Sequence, residues 1–142
     1  MKKQVVRFLG VLGLLMVAGS AFAQNINVRA NIPFSFNLSN DTLPAGQYEV
    51  RTISSSGSHL LVINNREAGT GEMFLTHAVS TPHAQAGKGA RLVFKRYGDQ
   101  YFLSQIWLAD SDTGRELLPS ARETELARGN APAKAVVMAE SR

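Results

Sequence analysis

The chain has 142 residues, of which 15 are Lys or Arg and 11 are Asp or Glu, and it contains no cysteine. The lack of cysteine excludes disulfides, thiolate nucleophiles and Cys-ligated metals, so the folded chain depends on its hydrophobic core. The length suits a single domain that buries roughly two-thirds of the surface of its unfolded chain.

The first 23 residues have the pattern of a cleaved secretory signal. Three basic residues precede an apolar run over 8–19, and a small-x-small sequence ends at Ala23. The run is shorter than the about 20 apolar residues that span a bilayer. We therefore expect an exported protein, periplasmic or secreted, that begins near Gln24 and does not span a membrane after signal cleavage.

Removal of the signal changes the charge balance. Three of the 15 basic residues and none of the acidic ones lie within 1–23, which leaves 12 against 11 and a net charge of +1. A charge this close to zero does not favour binding to nucleic acid or to an anionic membrane surface. We therefore expect no nucleic-acid partner.

Residues 28–38 alternate apolar and polar side chains, which is the pattern of a strand with one buried face. Pro33 lacks the N–H that a ladder needs, so we expect this strand to lie at an edge or to bulge at that point. The composition of residues 39–42 predicts a turn, and a second strand starts near Tyr48.

The sequence Leu-Pro-Ala-Gly-Gln-Tyr at 43–48 has two interpretations. Pro44 and Gly46 suit a tight turn, after which Tyr48 begins a strand. In the tyrosine corner of Greek-key domains, a tyrosine near a strand start donates its hydroxyl to the backbone a few residues upstream. The alternative is an ordinary turn followed by a core aromatic residue. Both interpretations make Pro44, Gly46 and Tyr48 structural residues.

Two further strands are predicted in the middle of the chain. Residues 59–65 are mostly apolar and indicate a central strand covered on both faces. Residues 72–80 indicate a fourth strand whose buried face includes Met73, Leu75 and His77. Because a histidine on an apolar face is usually a hydrogen-bonded structural residue, we do not expect His77 to bind a metal.

The clearest hairpin lies at 90–109, where a Gly-Asp pair at 98–99 forms a two-residue turn. This turn sets a register that places Arg96 opposite Tyr101, and Trp107 further along, on the core face. The other face carries a row of large apolar residues that a monomer rarely leaves exposed. The candidate face for binding another protein, or for self-association, consists of Val93, Tyr97, Phe102, Ile106 and Leu108.

A short helix is predicted at 121–128, because Ser120 and Glu123 form a capping box and Gly129 suits a C-terminal cap. A helix of about two turns needs the sheet for its stability, so it is one candidate to cover the hairpin face. A second protein chain is the other candidate. Residues 131–142 are either a tail or a late strand.

Together these elements predict a mainly β domain over 24–130. The expected fold is a small antiparallel β-sandwich or partly open β-barrel of about six to seven strands, with one short C-terminal helix. The order of elements contains no βαβ unit and no internal repeat.

No group of residues in the sequence predicts a chemical reaction. The histidines at 59, 77 and 83 lack the spacing of zinc ligands, and residues 110–114 fit a turn better than a calcium loop. Nucleophile-elbow, P-loop, zinc-protease and dinucleotide-binding motifs are all missing. We therefore expect no enzyme, no catalytic residue, no cofactor and no bound metal.

Four segments in order, IPFSF, LPAGQYEV, LVFKRYGDQYFLSQIW and GRELLPSARETEL, together resemble an uncharacterised family of small exported bacterial proteins. The resemblance covers most of residues 26–128. It implies a periplasmic or secreted address and a shared β-fold, and it supplies no catalytic residues.

Two classes of function remain open. The first is a non-catalytic interaction or structural module of the cell envelope or extracellular space, which suits the aromatic-rich sheet and the near-neutral charge. The second is a carrier of a small apolar ligand in an open β-barrel. That function requires the strands to enclose a cavity rather than a filled core.

Overall fold

Ten strands and one helix make up the part of the chain that the computed structural model describes, residues 25–53, 59–81 and 88–141. The predicted signal peptide, the serines at 54–56 and His83 lie outside these residues. In chain order the elements are β1 (Asn27–Ile32), β2 (Phe36–Leu38), β3 (Asp41–Leu43), β4 (Gly46–Thr52), β5 (Leu60–Asn65), β6 (Gly71–Ser80), β7 (Arg91–Tyr97), β8 (Gln100–Trp107), β9 (Thr113–Leu117), α1 (Ala121–Gly129) and β10 (Ala133–Ser141).

Eight of the strands close into a barrel. Neighbouring strands pair antiparallel in the order β8-β7-β10-β1-β4-β5-β6-β9, and the pairing of β9 with β8 completes the ring. The short hairpin of β2 and β3 is additional, and it joins β8 through a parallel pair between Asn37 and Phe102. The prediction of a mainly β, antiparallel fold with one short helix is confirmed. The strands number ten rather than six or seven, and the barrel is closed.

Three of the extra strands lie where the sequence predicted a turn or left the structure open. β3 falls partly within the predicted turn at 39–42, β9 follows the turn near 110, and β10 is the late-strand alternative. The first predicted strand divides at Pro33 into β1 and β2. β1 is not an edge strand, because it pairs with β10 on one side and β4 on the other. Pro33 lies just past the last pair of β1, where its missing N–H leaves the ladder intact.

The inward-facing side chains of the barrel, together with those of β2, form one continuous hydrophobic core. Every second residue of β1 and β5 is buried, as a barrel wall with one inward face requires. Burying one such Leu, Ile or Phe side chain contributes about 1.5–3 kcal/mol relative to exposure. The core consists of Ile26, Val28, Ala30, Ile32, Phe36, Leu38, Tyr48, Val50, Leu61, Ile63, Phe74, Ala90, Leu92, Phe94, Leu103, Ile106 and Leu117.

Aromatic rings from the segment after β1 pack against rings of β4, β7 and β8. Phe36 meets Tyr48 and Phe94 edge-to-face, with ring centroids 5.2 and 5.5 Å away. Phe34 meets Phe94 edge-to-face at 5.0 Å and stacks on Tyr101 at 3.8 Å. Such pairs add about 0.5–1.5 kcal/mol beyond their buried area. The segment between β1 and β2 is therefore held to the barrel by ring contacts rather than by a ladder.

The tyrosine-corner interpretation of 43–48 is confirmed. The Tyr48 hydroxyl donates to the Pro44 carbonyl oxygen at 2.5 Å. It also accepts a hydrogen bond from Asn65 Nδ2 at 3.3 Å, and Asn65 Oδ1 accepts two backbone N–H groups of the following turn. Burial raises the pKa of the Tyr48 phenol. The hydroxyl thus links the turn before β4 to the turn after β5.

We expect Tyr48→Phe to lower the free energy of unfolding by about 1–2 kcal/mol, because the Pro44 carbonyl and the buried Asn65 amide each lose a partner. Urea denaturation measures the change. Tyr101→Phe is the matched control, since Tyr101 is only half-buried and water can replace contacts of its hydroxyl. An unchanged denaturation midpoint for Tyr48→Phe would reduce Tyr48 to an ordinary core aromatic.

The turn of the β7–β8 hairpin forms as predicted. Gly98 has a φ of +63°, in the left-handed region that a two-residue hairpin turn requires. Arg96 pairs with Tyr101, and its guanidinium lies 5.7 Å from the centroid of the tyrosine ring. The first cross-strand pairs after the turn therefore follow the predicted register.

Beyond these pairs a bulge changes the register of the hairpin. The pairing shifts between Val93 and Phe94, and the extra residue is Ser104 of β8. As a result Leu92 pairs with Ile106, whereas an unbroken register would pair it with the preceding glutamine. Ile106 therefore faces the core and Trp107 faces outward, the reverse of the prediction.

α1 connects β9 to β10 and crosses β8 and β7, which separate those strands in the ring. The crossing runs over the outer face, because Glu123 of the helix is hydrogen-bonded to Tyr97, which points outward from β7. Ser120 caps the helix by accepting the Glu123 N–H at 3.2 Å. The buried side chain of the helix is that of Glu123. The helix includes Gly129, which was predicted to be the cap, and Asn130 takes the C-cap position.

Candidate interaction surface

The outward faces of β5 and β6 carry neighbouring apolar side chains. Leu60 pairs with Leu75 and Val62 pairs with Met73, so these four residues form two adjacent cross-strand pairs. The backbone N–H of Ile53 donates to the Leu60 carbonyl, which places Ile53 beside the first pair. The alternate residues of β5 are buried in the core, so this set faces outward.

Leu118 extends this surface at the β9 side. Thr76 of β6 pairs with Leu117, and the antiparallel register carries the next residue, Leu118, toward Leu75. Strand alternation places Leu118 on the outer face, because Leu117 belongs to the core. We call this surface the β5–β6 patch, and its members are Ile53, Leu60, Val62, Met73, Leu75 and Leu118.

The patch is large for a monomer of this size. Six large apolar residues are exposed in the described part of the chain, and four of them belong to the patch: Ile53, Met73, Leu75 and Leu118, each 48–68% exposed. With the half-buried Leu60 and Val62, the patch presents about 500 Å², near the upper end for the largest patch of a typical monomer. Patches of this size are often functional interaction sites.

The prediction for 72–80 is wrong about which face of the strand is buried. Phe74 and Thr76 face the core, whereas Met73, Leu75 and His77 face outward. Both faces of this stretch carry apolar residues, so alternation alone does not choose between them. Pairing with β5 decides, because its inward-facing residues lie opposite the inward-facing residues of β6.

His77 makes a surface contact rather than a core hydrogen bond. Its Nε2 lies 3.3 Å from Glu116 Oε2, and the imidazole side chain is half exposed. An exposed pair of this kind contributes at most about 1 kcal/mol. His77 and Glu116 therefore form part of the polar border of the β5–β6 patch on the β9 side.

Charges of opposite sign border the patch on opposite sides. Arg51 of β4 is exposed and lies opposite Val62. Glu116 of β9 lies opposite His77 of β6. The border of the patch is therefore basic on the β4 side and carries a carboxyl group on the β9 side.

The structure does not leave the predicted hairpin face at the surface. Val93, Tyr97 and Phe102 point outward from β7 and β8, yet each is at most 5% exposed within the single chain. Ile106 faces the core because of the bulge, and Leu108 packs against the core while partly buried. The row of five predicted side chains is thus divided between the two faces of the barrel wall, and its outward members are already covered.

A carboxyl group of α1 takes part in the contacts of the covered face. The Tyr97 hydroxyl donates to the Glu123 carboxylate. Burial raises the pKa of Glu123, and the nearby Lys95 charge and the bond from Tyr97 oppose that rise. On the same face the Arg91 guanidinium lies 5.3 Å from the centroid of the Trp107 ring. Trp107 is buried, but on the outer rather than the predicted core side.

A cleft of about 320 Å³ lies between β3 and the start of β6. Its lining contains the carboxyl groups of Asp41 and Glu72, which are hydrogen-bonded to each other, together with Leu43, Tyr48 and Ile63. Burial raises the pKa of Glu72, and the charge and hydrogen bond of Asp41 raise it further. The protonated form of the Glu72 carboxyl group is therefore favoured in this cleft.

We expect Glu72→Gln to raise the melting temperature at about pH 7 and to have a smaller effect near pH 4. The folded-state pKa of Glu72 lies above its unfolded value. Its contribution to stability is therefore fully present below the unfolded pKa and is lost as the pH rises through the folded pKa. Thermal unfolding across this pH range measures the difference. Glu67→Gln, at an exposed carboxyl of the preceding turn, is the control. An effect of Glu72→Gln that does not vary with pH would contradict the raised pKa of Glu72 beside Asp41.

The turn predicted at 110–114 is shorter in the structure. Asp110 has a φ of +54° and lies in the turn between β8 and β9, whereas residues 113 and 114 already belong to β9. Within residues 25–53, 59–81 and 88–141, no three His, Asp or Glu side chains are grouped as a metal ion would need. The same residues contain no helix with the length and apolar character to cross a membrane.

The fold and the surface define a small closed β-barrel with a helix across one wall and an apolar patch on another. No family model, curated protein or solved structure matches the chain. The chemistry of its own surfaces is therefore what bears on its function.

Proposed function

We propose that this chain is an exported, non-catalytic interaction module of the cell envelope or extracellular space, and that it binds its partner through the β5–β6 patch. The supporting observation is the patch itself, where four large apolar side chains are 48–68% exposed on one wall of the barrel. Covering about 500 Å² of such surface contributes on the order of 10 kcal/mol before the cost of association is subtracted.

The export part of this proposal rests on the signal pattern over residues 1–23. N-terminal sequencing of the protein purified from its own host tests it. A start near Gln24 supports export, and an intact N-terminal Met1 overturns it.

A carrier of a small apolar ligand is the second candidate, because closed eight-stranded barrels can hold one small ligand. The large side chains of the core count against it. Phe36, Tyr48 and Phe94 are among the largest fully buried side chains of the described residues and belong to the core.

Native mass spectrometry of the protein purified from its own host distinguishes the two functions. A polypeptide mass without an added small molecule supports the interaction module. A retained apolar molecule overturns it and favours the carrier.

Photo-crosslinking in the host tests the surface itself. A crosslinking residue at Leu75 should give a discrete protein adduct, and one at Met138 should not. The two side chains are equally exposed, at 62%, but Met138 lies on β10 outside the patch. Identical adducts from both positions would contradict binding through the patch.

A further inference from the structure

We infer that the segment which carries α1 is a strap that opens while the barrel stays closed, and that its opening exposes an apolar surface on β7 and β8. We call residues 119–132 the strap. The inference goes beyond the proposed function and is independent of the β5–β6 patch. It is carried by how little of the strap is buried, by the contact that holds it and by its place outside the ring of strands.

The strap meets the barrel wall along one narrow stripe. All its residues except Ser120, Glu123 and Leu126 are exposed. These three follow one another at intervals of three residues, so they lie on one side of the helix. A surface helix usually turns about three or four apolar side chains toward the core in two turns, whereas α1 contributes Leu126 alone. The apolar area that holds the strap on the wall is therefore small.

The most buried side chain of the strap is a carboxyl group. Glu123 is 6% exposed and accepts a hydrogen bond from the Tyr97 hydroxyl. Burial raises the pKa of Glu123, the Lys95 charge and the bond from Tyr97 oppose the rise, and the Glu116 charge adds to it. Taking a carboxylate out of water costs free energy that its partners return only in part. Glu123 therefore holds the strap weakly.

The contact is also incomplete where the strap ends. A cleft of about 230 Å³ is lined by Pro132 and the start of β10 together with Val93 and Gln105 of the wall. Protein interiors are close-packed, so a cleft of this size marks a contact that is not. The strap thus lies loosely on the wall at its end as well as along the helix.

The ring of strands does not include the strap. β9 ends at Leu117 and β10 begins at Ala133, and no strand pair of the described ring uses a residue between them. Three strand-to-strand steps, about 14 Å, separate β9 from β10 across the ring, whereas an extended segment of this length reaches about 45 Å. The strap is therefore long enough to leave the wall without pulling either strand out of the ring.

Opening of the strap uncovers the outer face of the hairpin. Segments with few buried apolar contacts open locally, at a lower free energy than global unfolding. A detached helix of two turns is not stable, so α1 unfolds as the strap opens. The open form presents Val93, Tyr97 and Phe102, which are at most 5% exposed while the strap is closed. The strap is thus a cover for an apolar surface on the outside of the barrel.

Hydrogen exchange of the protein purified from its own host tests local opening. We expect the amides of residues 124–129 to exchange at least about 100-fold faster than those of β4. Low concentrations of urea should hardly change the exchange of these helix amides, because opening of the strap exposes little surface. Exchange of α1 with the rate and the urea dependence of β4 overturns the inference, because the helix would then open only with the barrel.

Thiol labelling tests access to the covered face. The chain contains no cysteine, so a single introduced thiol gives an unambiguous signal. Val93→Cys and Val50→Cys make the same substitution on the outer and the core side of the wall, at positions 4% and 1% exposed. A thiol reagent should label Val93→Cys at least about tenfold faster than Val50→Cys. Equal rates overturn the inference.

A second substitution tests whether the strap controls this access. Glu123→Ala removes the bond with Tyr97, so it should speed the labelling of Val93→Cys by about fivefold or more and leave that of Val50→Cys unchanged. Glu125→Ala is the matched control, because Glu125 is exposed on the same helix. Equal effects of the two alanine substitutions overturn the inference. Faster labelling of Val50→Cys also overturns it, because the barrel would then open together with the strap.

Discussion

Phe36→Ala should lower the free energy of unfolding by about 3–5 kcal/mol, the largest effect that we expect from a single core truncation. Phe36 is fully buried and makes edge-to-face contacts with Tyr48 and Phe94. Its removal would leave a cavity between β2 and the barrel, and it would loosen a segment that rings hold in place. Urea denaturation followed by the fluorescence of Trp107 measures the change.

Phe34→Ala is the comparison for this variant, because it removes the same side chain from a half-buried position in the same segment. We expect a smaller loss than for Phe36→Ala, since less apolar area returns to water and the site is open enough to avoid a cavity. Equal losses would mean that the segment after β1 is held by its ring contacts as a unit rather than by burial of Phe36.

Phe102→Ser should lower the free energy of unfolding by about 2–4 kcal/mol without changing the molecular mass in solution. Phe102 lies on the outer side of β8, yet it is 3% exposed and meets the Tyr97 ring at 5.8 Å. Other residues of the same chain therefore bury the Phe102 side chain. Denaturation gives the stability, and ultracentrifugation gives the mass.

Met73→Ser is the control for Phe102→Ser, because it also removes an outward-facing apolar side chain but from a position that is 63% exposed. We expect its stability to change little, because the side chain is already largely in contact with water. A Phe102→Ser variant as stable as the unsubstituted protein would mean that the chain itself does not cover the hairpin face, and would restore that face as a candidate contact surface.

Features set by a few neighbouring residues could be predicted from the sequence. The Tyr48–Pro44 bond, the left-handed Gly98 and the Ser120 cap each depend on residues within one turn of backbone. Short-range chemistry decides such features, so a sequence pattern carries the information. The start of α1 was correct for this reason.

Features set by pairing between distant strands could not be predicted in the same way. Nothing near Ser104 marks it as the bulged residue, because the bulge resolves a mismatch between two whole strands. β9 has few apolar residues, and its strand conformation depends on pairing with β6 and β8 at once. The number of strands was underestimated because such segments resemble turns until their neighbours are known.

The β5–β6 patch was missed although the sequence contained a signal for it. The stretches LLVI at 60–63 and MFL at 73–75 are apolar at both odd and even positions, which exceeds what one core face can bury. The first was interpreted as a strand covered on both faces, and the second was assigned the wrong buried face. In the barrel, one set of alternate residues faces the core, and the remaining apolar residues of these stretches lie on the outer face and form the patch.

The position of β10 has a consequence for the timing of folding. β10 lies between β7 and β1 in the ring, so the first and last strands of the described chain are neighbours. Until β10 docks, β1 and β7 each leave a free edge, so the ring seen in the structure is open between them. Pairs such as Val28 with Ser141 join distant parts of the sequence, and contacts of this kind make folding slow. During synthesis the chain therefore stays open until its last strand emerges, and β10 determines when the barrel closes.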